Sequence, residues 1–445
     1  MLKNLSIPNA ELDLPRTLES DRKHLAESSV PIVTTSASFR SDILKSLGEK
    51  ARINDHDIVF SRGHFSMAIA ILKGAEEKGL TTWLTDPTNY VSRADWQKLK
   101  FVVTVGQLIA RFPFLKYLKD QLDTLTRNKL PVTQAIEKPL LFATSEVTKP
   151  IISVHYETGN ILVKEGRQVI QVVTDPHIRP QYLTECDKKN IHFAVFNNST
   201  KIELLKKAKE EGKTLEEERV TVTGPPVDPR IIKARKNKSP LSFKKRPLRL
   251  CVTTGGLGQN KEEIAEILEN LAPQIKENHV QVVLYASTLP DFREMYEGVI
   301  AKFNIPISSD LADENSEARI IYSSSIVNAN ETLIKHGFPW SDGFITKPSG
   351  DMAYDAAAAG CFILSLTPWG DWEANVAKIF EELSILRKAE TKNITNQLND
   401  LTNTGWISSS IKNALNIDKL YLEGVKNILA LQQKIASKVD GHGLA

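Results

Sequence analysis

Once in each half of this chain, a short apolar run breaks at glycine and passes straight into a helical pattern. The first case is HDIVFS at His56–Ser61, the turn Arg62-Gly63-His64, and a helix expected over Phe65–Lys78 that stops at Gly79. The second is LRLCVT at Leu248–Thr253, the loop TGGLGQN at Thr254–Asn260, and a helix from Lys261 to Leu271. A strand, a glycine turn and a helix open a parallel α/β sheet, because parallel neighbours need a crossover connection, usually helical. In such sheets ligands sit at the carboxyl ends of the strands, where helix N-termini point. Two such starts predict two sheets.

More strand-like runs follow each start. The first half has Pro150–His155 (PIISVH), Gln168–Thr174 (QVIQVVT), Ile191–Phe196 and Val220–Pro226 (VTVTGPP). The second half has Val280–Ala286, Arg319–Tyr322, Gly343–Thr346 and Cys361–Leu366. Between the last two, the turn Lys347–Asp351 leads into a helix over Met352–Ala359, ended by Gly360. Its alanines, Ala356 to Ala359, let that helix press closely on the sheet. A polar loop rich in Trp and acids then runs to Asn375. At 445 residues the chain exceeds one comfortable core, so two domains of roughly 200 residues are expected. The expected division is a weakly patterned N-terminal extension over 1–50, a Rossmann-like domain over 51–229, a basic linker over 230–247, a second Rossmann-like domain over 248–415, and a C-terminal helix and tail over 416–445. The helix in that last segment spans Ile417–Val439 on apolar spacing.

Composition excludes several classes. No apolar run approaches the ~20 residues that cross a bilayer as a helix. A net charge of +3 is too small to argue for a nucleic-acid partner. Cys186, Cys251 and Cys361 are too far apart for a disulfide framework or a metal cluster, and read as small core residues in a reducing compartment. The N-terminal MLKNLSIPNAELDLPRTLESDR lacks a basic-then-apolar signal, which predicts a cytoplasmic chain. Two stretches point toward an anionic membrane surface, the peripheral-membrane expectation. Asp95–Leu130 interleaves Lys and Arg with apolar and aromatic residues, and 230–249 holds nine basic residues and no acid. Each has an ordinary reading too, as core-facing helices and as a solvated linker.

The candidate chemistry lies at the strand ends. His64 is expected at a helix N-terminus, where partial positive charge disfavours imidazolium and favours the imidazole that can accept a proton. A polar helix cap is the plainer reading of the same residue. His155 and Asp175 fall at strand carboxyl ends in the same layer. Gly255, Gly256 and Gly258 expose backbone N–H groups at a helix N-terminus, a cradle for phosphate. The third glycine of the dinucleotide fingerprint is missing at its spacing.

In this order the parts resemble the GT-B glycosyltransferases, most closely family 28. That group contains monogalactosyldiacylglycerol synthase, the processive diacylglycerol glucosyltransferases and the N-acetylglucosaminyltransferase of peptidoglycan synthesis. The resemblance covers roughly residues 55–380. It is carried by Ser61-Arg62-Gly63-His64, Ile151–His155, Val173-Thr174-Asp175, Val222–Pro226, Thr254–Gln259, Ile345–Gly350 and Gly370–Asn375. It implies α/β architecture of the GT-B kind, with two Rossmann-like domains whose parallel sheets face across a cleft. A UDP-sugar donor would bind the C-terminal half. Thr254, Gly255, Gly256, Leu257, Gly258 and Gln259 would hold its diphosphate, and backbone N–H groups there can neutralise a departing diphosphate without a metal. Lys347 would add charge, with Ser349, Gly350 and Asp351 forming the adjoining turn. Asp355 stands where the family usually has a ribose-binding Glu. Asp371, Trp372, Glu373 and Asn375 would reach the donor sugar.

The resemblance places His64 at the reacting centre, as general base or as a diphosphate contact, with His155 and Asp175 as further base candidates. The implied activity is inverting, metal-independent transfer of a hexose from a UDP-sugar to a lipid (diacylglycerol-like) or other hydroxyl acceptor. The UDP-sugar is the donor substrate, and no cofactor is implied. A non-hydrolysing UDP-sugar 2-epimerase shares the fold, and a nucleotide-sugar-binding protein without catalysis is a further alternative. The chain departs from the family at several points. Arg62 and a single glycine precede His64, the ribose carboxylate is an Asp, Ser349 and Met352 replace a Gly and a Thr, and Trp372 replaces a Gln.

Overall fold

The computed structural model describes residues 14–40, 42–43, 59–92, 94–99 and 131–442. The chain forms two compact units, Met1–Asp228 with Leu420–Ala445, and Pro229–Lys419. Each is a Rossmann-like α/β unit built on one parallel sheet.

The first unit has six strands in the order β2-β1-β3-β4-β5-β6. They are β1 (Val30–Val33), β2 (Thr82–Thr85), β3 (Ile151–Ser153), β4 (Val169–Val172), β5 (Ile191–Val195) and β6 (Val220–Val222). Every pairing is parallel. β1, β3 and β4 are buried along their whole length, as strands covered on both faces must be. Helix α1 (Leu14–Glu27) precedes β1, α2 (Arg62–Glu77) lies between β1 and β2, and α3 (Tyr156–Lys164) follows β3. The chain runs from β1 to β2 at one edge, then crosses back to β3. The direction of winding therefore reverses between β1 and β3.

Two expectations fail here. The segment expected as a weakly patterned extension over 1–50 supplies, within residues 14–33, a packed helix and a strand that sits inside the sheet. A proline within the run, Pro31, argues against a central strand and hides it from pattern reading. The strand expected at His56–Ser61 is absent from the part of it that is described. Val59 makes a single antiparallel bridge to Ala37, and the N–H groups of Phe60 and Ser61 donate to the Ser36 carbonyl at 2.8 and 2.9 Å. His56–Ile58 lies outside the described residues, as does all of the amphipathic stretch beyond Leu99.

The loop leaving β1 is held by one carboxylate. Asp86 accepts from Ser36 N (2.8 Å), Ser36 Oγ (2.9 Å), Ala37 N (3.1 Å), Thr88 N (3.0 Å) and Thr88 Oγ1 (2.6 Å). Burial raises its carboxyl above the ordinary range, and these donors oppose that shift.

The second unit has seven strands in the order β13-β12-β11-β7-β8-β10-β9. These are β7 (Leu248–Thr253), β8 (Val280–Ser287), β9 (Ile307–Ser308), β10 (Ala318–Tyr322), β11 (Gly343–Thr346), β12 (Phe362–Ser365) and β13 (Leu386–Lys388). All pairings are parallel. Winding reverses between β7 and β11. Helix α4 (Lys261–Lys276) follows β7, α5 (Met352–Ala358) follows β11, and α6 (Asp371–Glu382) follows β12. All residues of α5 are buried. A Cβ on Gly343 would stand 2.3 Å from the Phe362 ring, so the bare glycine lets that ring lie across β11.

The polar loop expected after β12 is shorter than anticipated, because Asp371–Asn375 is the first turn of α6. The segment expected as a basic linker is a packed part of the second unit. Pro229–Ala234 is a helix. Arg230 forks onto Glu331 at 2.5 and 2.9 Å, and Arg246 forks onto Asp342 at 2.7 and 2.8 Å. Arg235 donates to the carbonyls of Ala358 (2.9 Å) and Leu415 (2.5 Å), and Lys238 donates to that of Ser341. A run of like charges reads as a solvated linker only when its partners, here distant in sequence, are unknown.

After Lys419 the chain returns to the first unit through α7 (Gly424–His442), which starts later than the expected Ile417. Gln432 Nε2 donates to the Ser29 carbonyl at 2.8 Å, and Asn427 Nδ2 to that of Thr223 at 2.9 Å. Among the described residues no helix is long and apolar enough to cross a membrane.

Candidate functional site

The reversal point of a parallel sheet is where two neighbouring strands send their loops apart, leaving a crevice at their carboxyl ends. Each unit has one, and most of the sequence-derived candidates belong to one or the other.

In the first unit, α2 begins beside the reversal between β1 and β3. Ser61 is its N-cap, with extended backbone, and its Oγ accepts from His64 N at 3.4 Å. This places His64 in the first helical turn, as expected. Its Nε2 meets Thr174 Oγ1 at 3.0 Å, and that hydroxyl contacts Tyr182 OH at 3.2 Å. Thr174 follows β4, so β4 contributes to the site through a hydroxyl as well as through the neighbouring Asp175.

His155 follows β3 and caps α3, its Nδ1 accepting from Glu157 N at 3.1 Å. Its ring stands edge-on to that of His64, centroids 4.8 Å apart. Burial drives the His155 imidazole well below its ordinary range, with the neighbouring His64 and Arg179 charges adding to the shift. A neutral His155 lets its neighbour take up a proton without a like charge alongside. Asp175 accepts from Arg179 Nη2 at 3.2 Å. The Tyr156 ring is tilted against that of His155, centroids 4.3 Å apart, and meets Tyr182 edge-on at 5.5 Å. Sequence reading found His64, His155 and Asp175, and the structure brings the two histidines together. It missed Tyr156, Tyr182 and Arg179, whose positions follow no motif.

In the second unit, the ends of β7 and β11 are joined by Thr253 Oγ1 donating to Thr346 Oγ1 at 2.6 Å. Past that link, three loops meet. The β7 loop turns through Gly258 N to Gly255 O at 2.9 Å, and Gly258 and Asn260 take left-handed backbone at φ 67° and 60°. Thr254 Oγ1 closes the loop by donating to Gln259 O at 3.3 Å. Gly255, Gly256 and Leu257 are half-buried. Lys347, leaving β11, donates to Gln259 Oε1 at 2.6 Å and to Glu373 Oε1 at 2.5 Å. Glu373, in the first turn of α6, accepts from Trp369 N at 2.8 Å through its other oxygen. A Cβ on Gly255 would lie 2.6 Å from Lys347 Cε and 3.1 Å from its Nζ. The bare glycine thus leaves room for the end of the Lys347 side chain.

Glu263, in the first turn of α4, ties the same loops from outside. It receives Asn260 Nδ2 at 2.7 Å and Thr367 N at 3.1 Å. Nothing in the sequence singled it out.

The other candidates sit around this knot. Ser349 Oγ donates to Asp351 Oδ1 at 2.5 Å and accepts from Met352 N at 3.3 Å, shaping the turn into α5 with Gly350. Asp355 is buried within α5 at 6% exposure. Asp371 and Asn375 are exposed on the first turn of α6, and Trp372 is half-buried. The Trp372 ring covers Gly370 and meets Trp369 edge-to-face at 5.8 Å. Among the described residues no group of His, Cys, Asp and Glu converges as a metal site.

No known protein-family profile matches this chain. No curated protein matches it by sequence. Solved structures do resemble it in fold. A protein from Listeria monocytogenes described as a UDP-N-acetylglucosamine 2-epimerase aligns at TM-score 0.53 and 12% identity, covering 92% of this chain and 97% of its own. A variant of Os79 from O. sativa, solved in complex with UDP, aligns at TM-score 0.52 and 9% identity, covering 92% of this chain and 100% of its own. MurG of Acinetobacter baumannii aligns at TM-score 0.46 and 12% identity over 91% of this chain and 99% of its own. At these identities the first two likenesses establish the two-unit Rossmann-like architecture that the sequence resemblance anticipated.

Proposed function

We propose that this chain is a UDP-sugar-dependent glycosyltransferase that passes a hexose to a hydroxyl acceptor with inversion and without a metal. The observation that carries the reading is the Lys347 ammonium, bonded to Gln259 of the glycine loop, with its side-chain end in the space that a Cβ on Gly255 would take, at the reversal point of the second sheet. A glycine turn, a helix N-terminus and a half-buried ammonium together suit a diphosphate. The donor is assigned to the second unit, with Asp355 toward the ribose and Asp371, Trp372 and Asn375 toward the sugar.

His64 of the first unit is assigned as general base. It would take the proton of the acceptor hydroxyl while the hydroxyl oxygen bonds to the anomeric carbon. The bond to the diphosphate breaks on the opposite side, and its electron pair leaves with the phosphate oxygen. His155 and Asp175 support His64 in this scheme and are the next candidates for base. A diacylglycerol-like lipid at an anionic membrane surface is the first acceptor to try, on the sequence character of Asp95–Leu130 alone.

The test is a donor screen with UDP release as readout, run with and without lipid acceptors, beside calorimetry with UDP. No UDP binding at millimolar concentration ends the donor assignment. Inversion at C2 of the free UDP-sugar by NMR, with no acceptor present, would make the chain an epimerase. Binding without transfer, hydrolysis or inversion would make it a nucleotide-sugar-binding protein.

A further inference from the structure

Glu373 stands in the stretch expected to reach the donor sugar, yet its carboxylate is turned inward. Its side chain is 1% exposed, and that of its partner Lys347 is 15% exposed. One carboxylate oxygen holds the Lys347 ammonium and the other holds Trp369 N. An ammonium has three donors, and two of these are taken by Gln259 and Glu373. The pair therefore links the exit loops of β7, β11 and β12 at one nitrogen. A desolvated ion pair is hard to break by removing one member, because the other is left buried and uncompensated. Exchange avoids half of that cost, because an incoming anion keeps the ammonium compensated while Glu373 keeps the Trp369 N–H.

We propose that Glu373 is the counter-charge of an exchangeable latch: it positions Lys347 over Gly255 in the empty chain and cedes the ammonium to the diphosphate of an incoming nucleotide, without contacting the sugar. The proposal rests on the donor assignment made above. Glu373 opposes anion binding through its own charge and favours it by holding the ammonium in place. Affinity for the diphosphate is set by that balance, and the identity of the sugar does not enter it.

The experiment compares wild type, E373Q and E373D in binding UDP, UDP-glucose and inorganic pyrophosphate by calorimetry, with melting temperature recorded. Releasing the ammonium from competition with the Glu373 carboxylate is expected to tighten all three ligands by about the same factor, roughly tenfold. E373D keeps the charge and is expected to return affinity toward wild type. In K347M the further change to E373Q is expected to lose its effect, since the latch has then lost its ammonium. A Glu373 that binds sugar predicts the reverse pattern, with UDP-glucose weakened and UDP unchanged. Equal weakening of all three with a lowered melting temperature would leave Glu373 as a packing residue and overturn the latch. The two readings also fail separately. Tightened pyrophosphate binding in a chain that transfers no sugar keeps the latch and removes the transferase. Transfer with E373Q affinities unchanged does the opposite.

Discussion

The two crevices occupy the same topological position and are furnished in opposite ways. At the first, between β1 and β3, the groups that meet are imidazoles, phenols and a hydroxyl, and the Asp175 carboxylate is held by Arg179. At the second, between β7 and β11, a buried carboxylate holds a half-buried ammonium beside the glycine loop. A site that takes and gives a proton needs groups whose charge can change at modest cost. A site that holds an anion needs a permanent cation and backbone donors that are already in place. The two sheets share a fold and differ in what they gather at the reversal point; on the proposed function they would divide the chemistry.

The sharpest way to break that division is His64→Ala. Transfer is expected to fall by roughly two to four orders of magnitude, with UDP affinity within about twofold of wild type. Unchanged turnover would remove proton transfer from the first crevice. Lys347→Met is expected to act on the other side, lowering UDP affinity roughly tenfold to a hundredfold in calorimetry. It should also cost about 3–5 kcal/mol in denaturant unfolding, because Glu373 is left buried without its partner. Gly255→Ala separates these two effects. Its Cβ would displace only the flexible end of Lys347, so stability should change by less than about 1 kcal/mol while UDP affinity falls about tenfold. An affinity loss matched by a large stability loss would mean the loop itself had collapsed.

Acid should distinguish the crevices as well. The His155 imidazole is held well below its ordinary value of about 6.5, so its unfolded form binds a proton that the folded form refuses. Its contribution to stability is intact above about pH 6.5 and is lost as the pH falls from there toward the folded-state value. Between about pH 7 and 5.5, amide exchange corrected for intrinsic rate should rise around 153–158 and stay level around 254–260. His155→Gln should abolish the difference. The smallest effect is expected from Thr174→Val, which removes the hydroxyl at His64 Nε2. A fewfold fall in turnover with an altered pH profile would fit a positioning role, and no change in either would exclude it.

Much of the fold was legible from particular segments. Ile151–Ser153, Val169–Val172 and Leu248–Thr253 are short apolar runs that end in polar loops, and each became a buried parallel strand where expected. Val30–Val33 was not legible. It is four residues long, contains proline, and is separated from its crossover helix by a long polar stretch, so no local pattern joins it to the sheet. In the candidate site, His64 was legible because a cap residue and a glycine mark the start of a helix. The inward turn of Glu373 was not, because a first-turn acid looks the same in sequence whether it faces solvent or a lysine.

Sequence alone determined that the chain has two parallel sheets, and that the second begins at a glycine loop able to approach an anion closely. Those properties are local, arising from apolar runs, glycine backbone and helix starts within a few residues of one another. Only the tertiary structure decided which side chains meet. Lys347 finds Gln259 across 88 positions of sequence, and Thr253 finds Thr346 across 93, because β7 and β11 lie side by side. Strand adjacency is a property of the whole sheet, and the pairing of charges at the crevice follows from it.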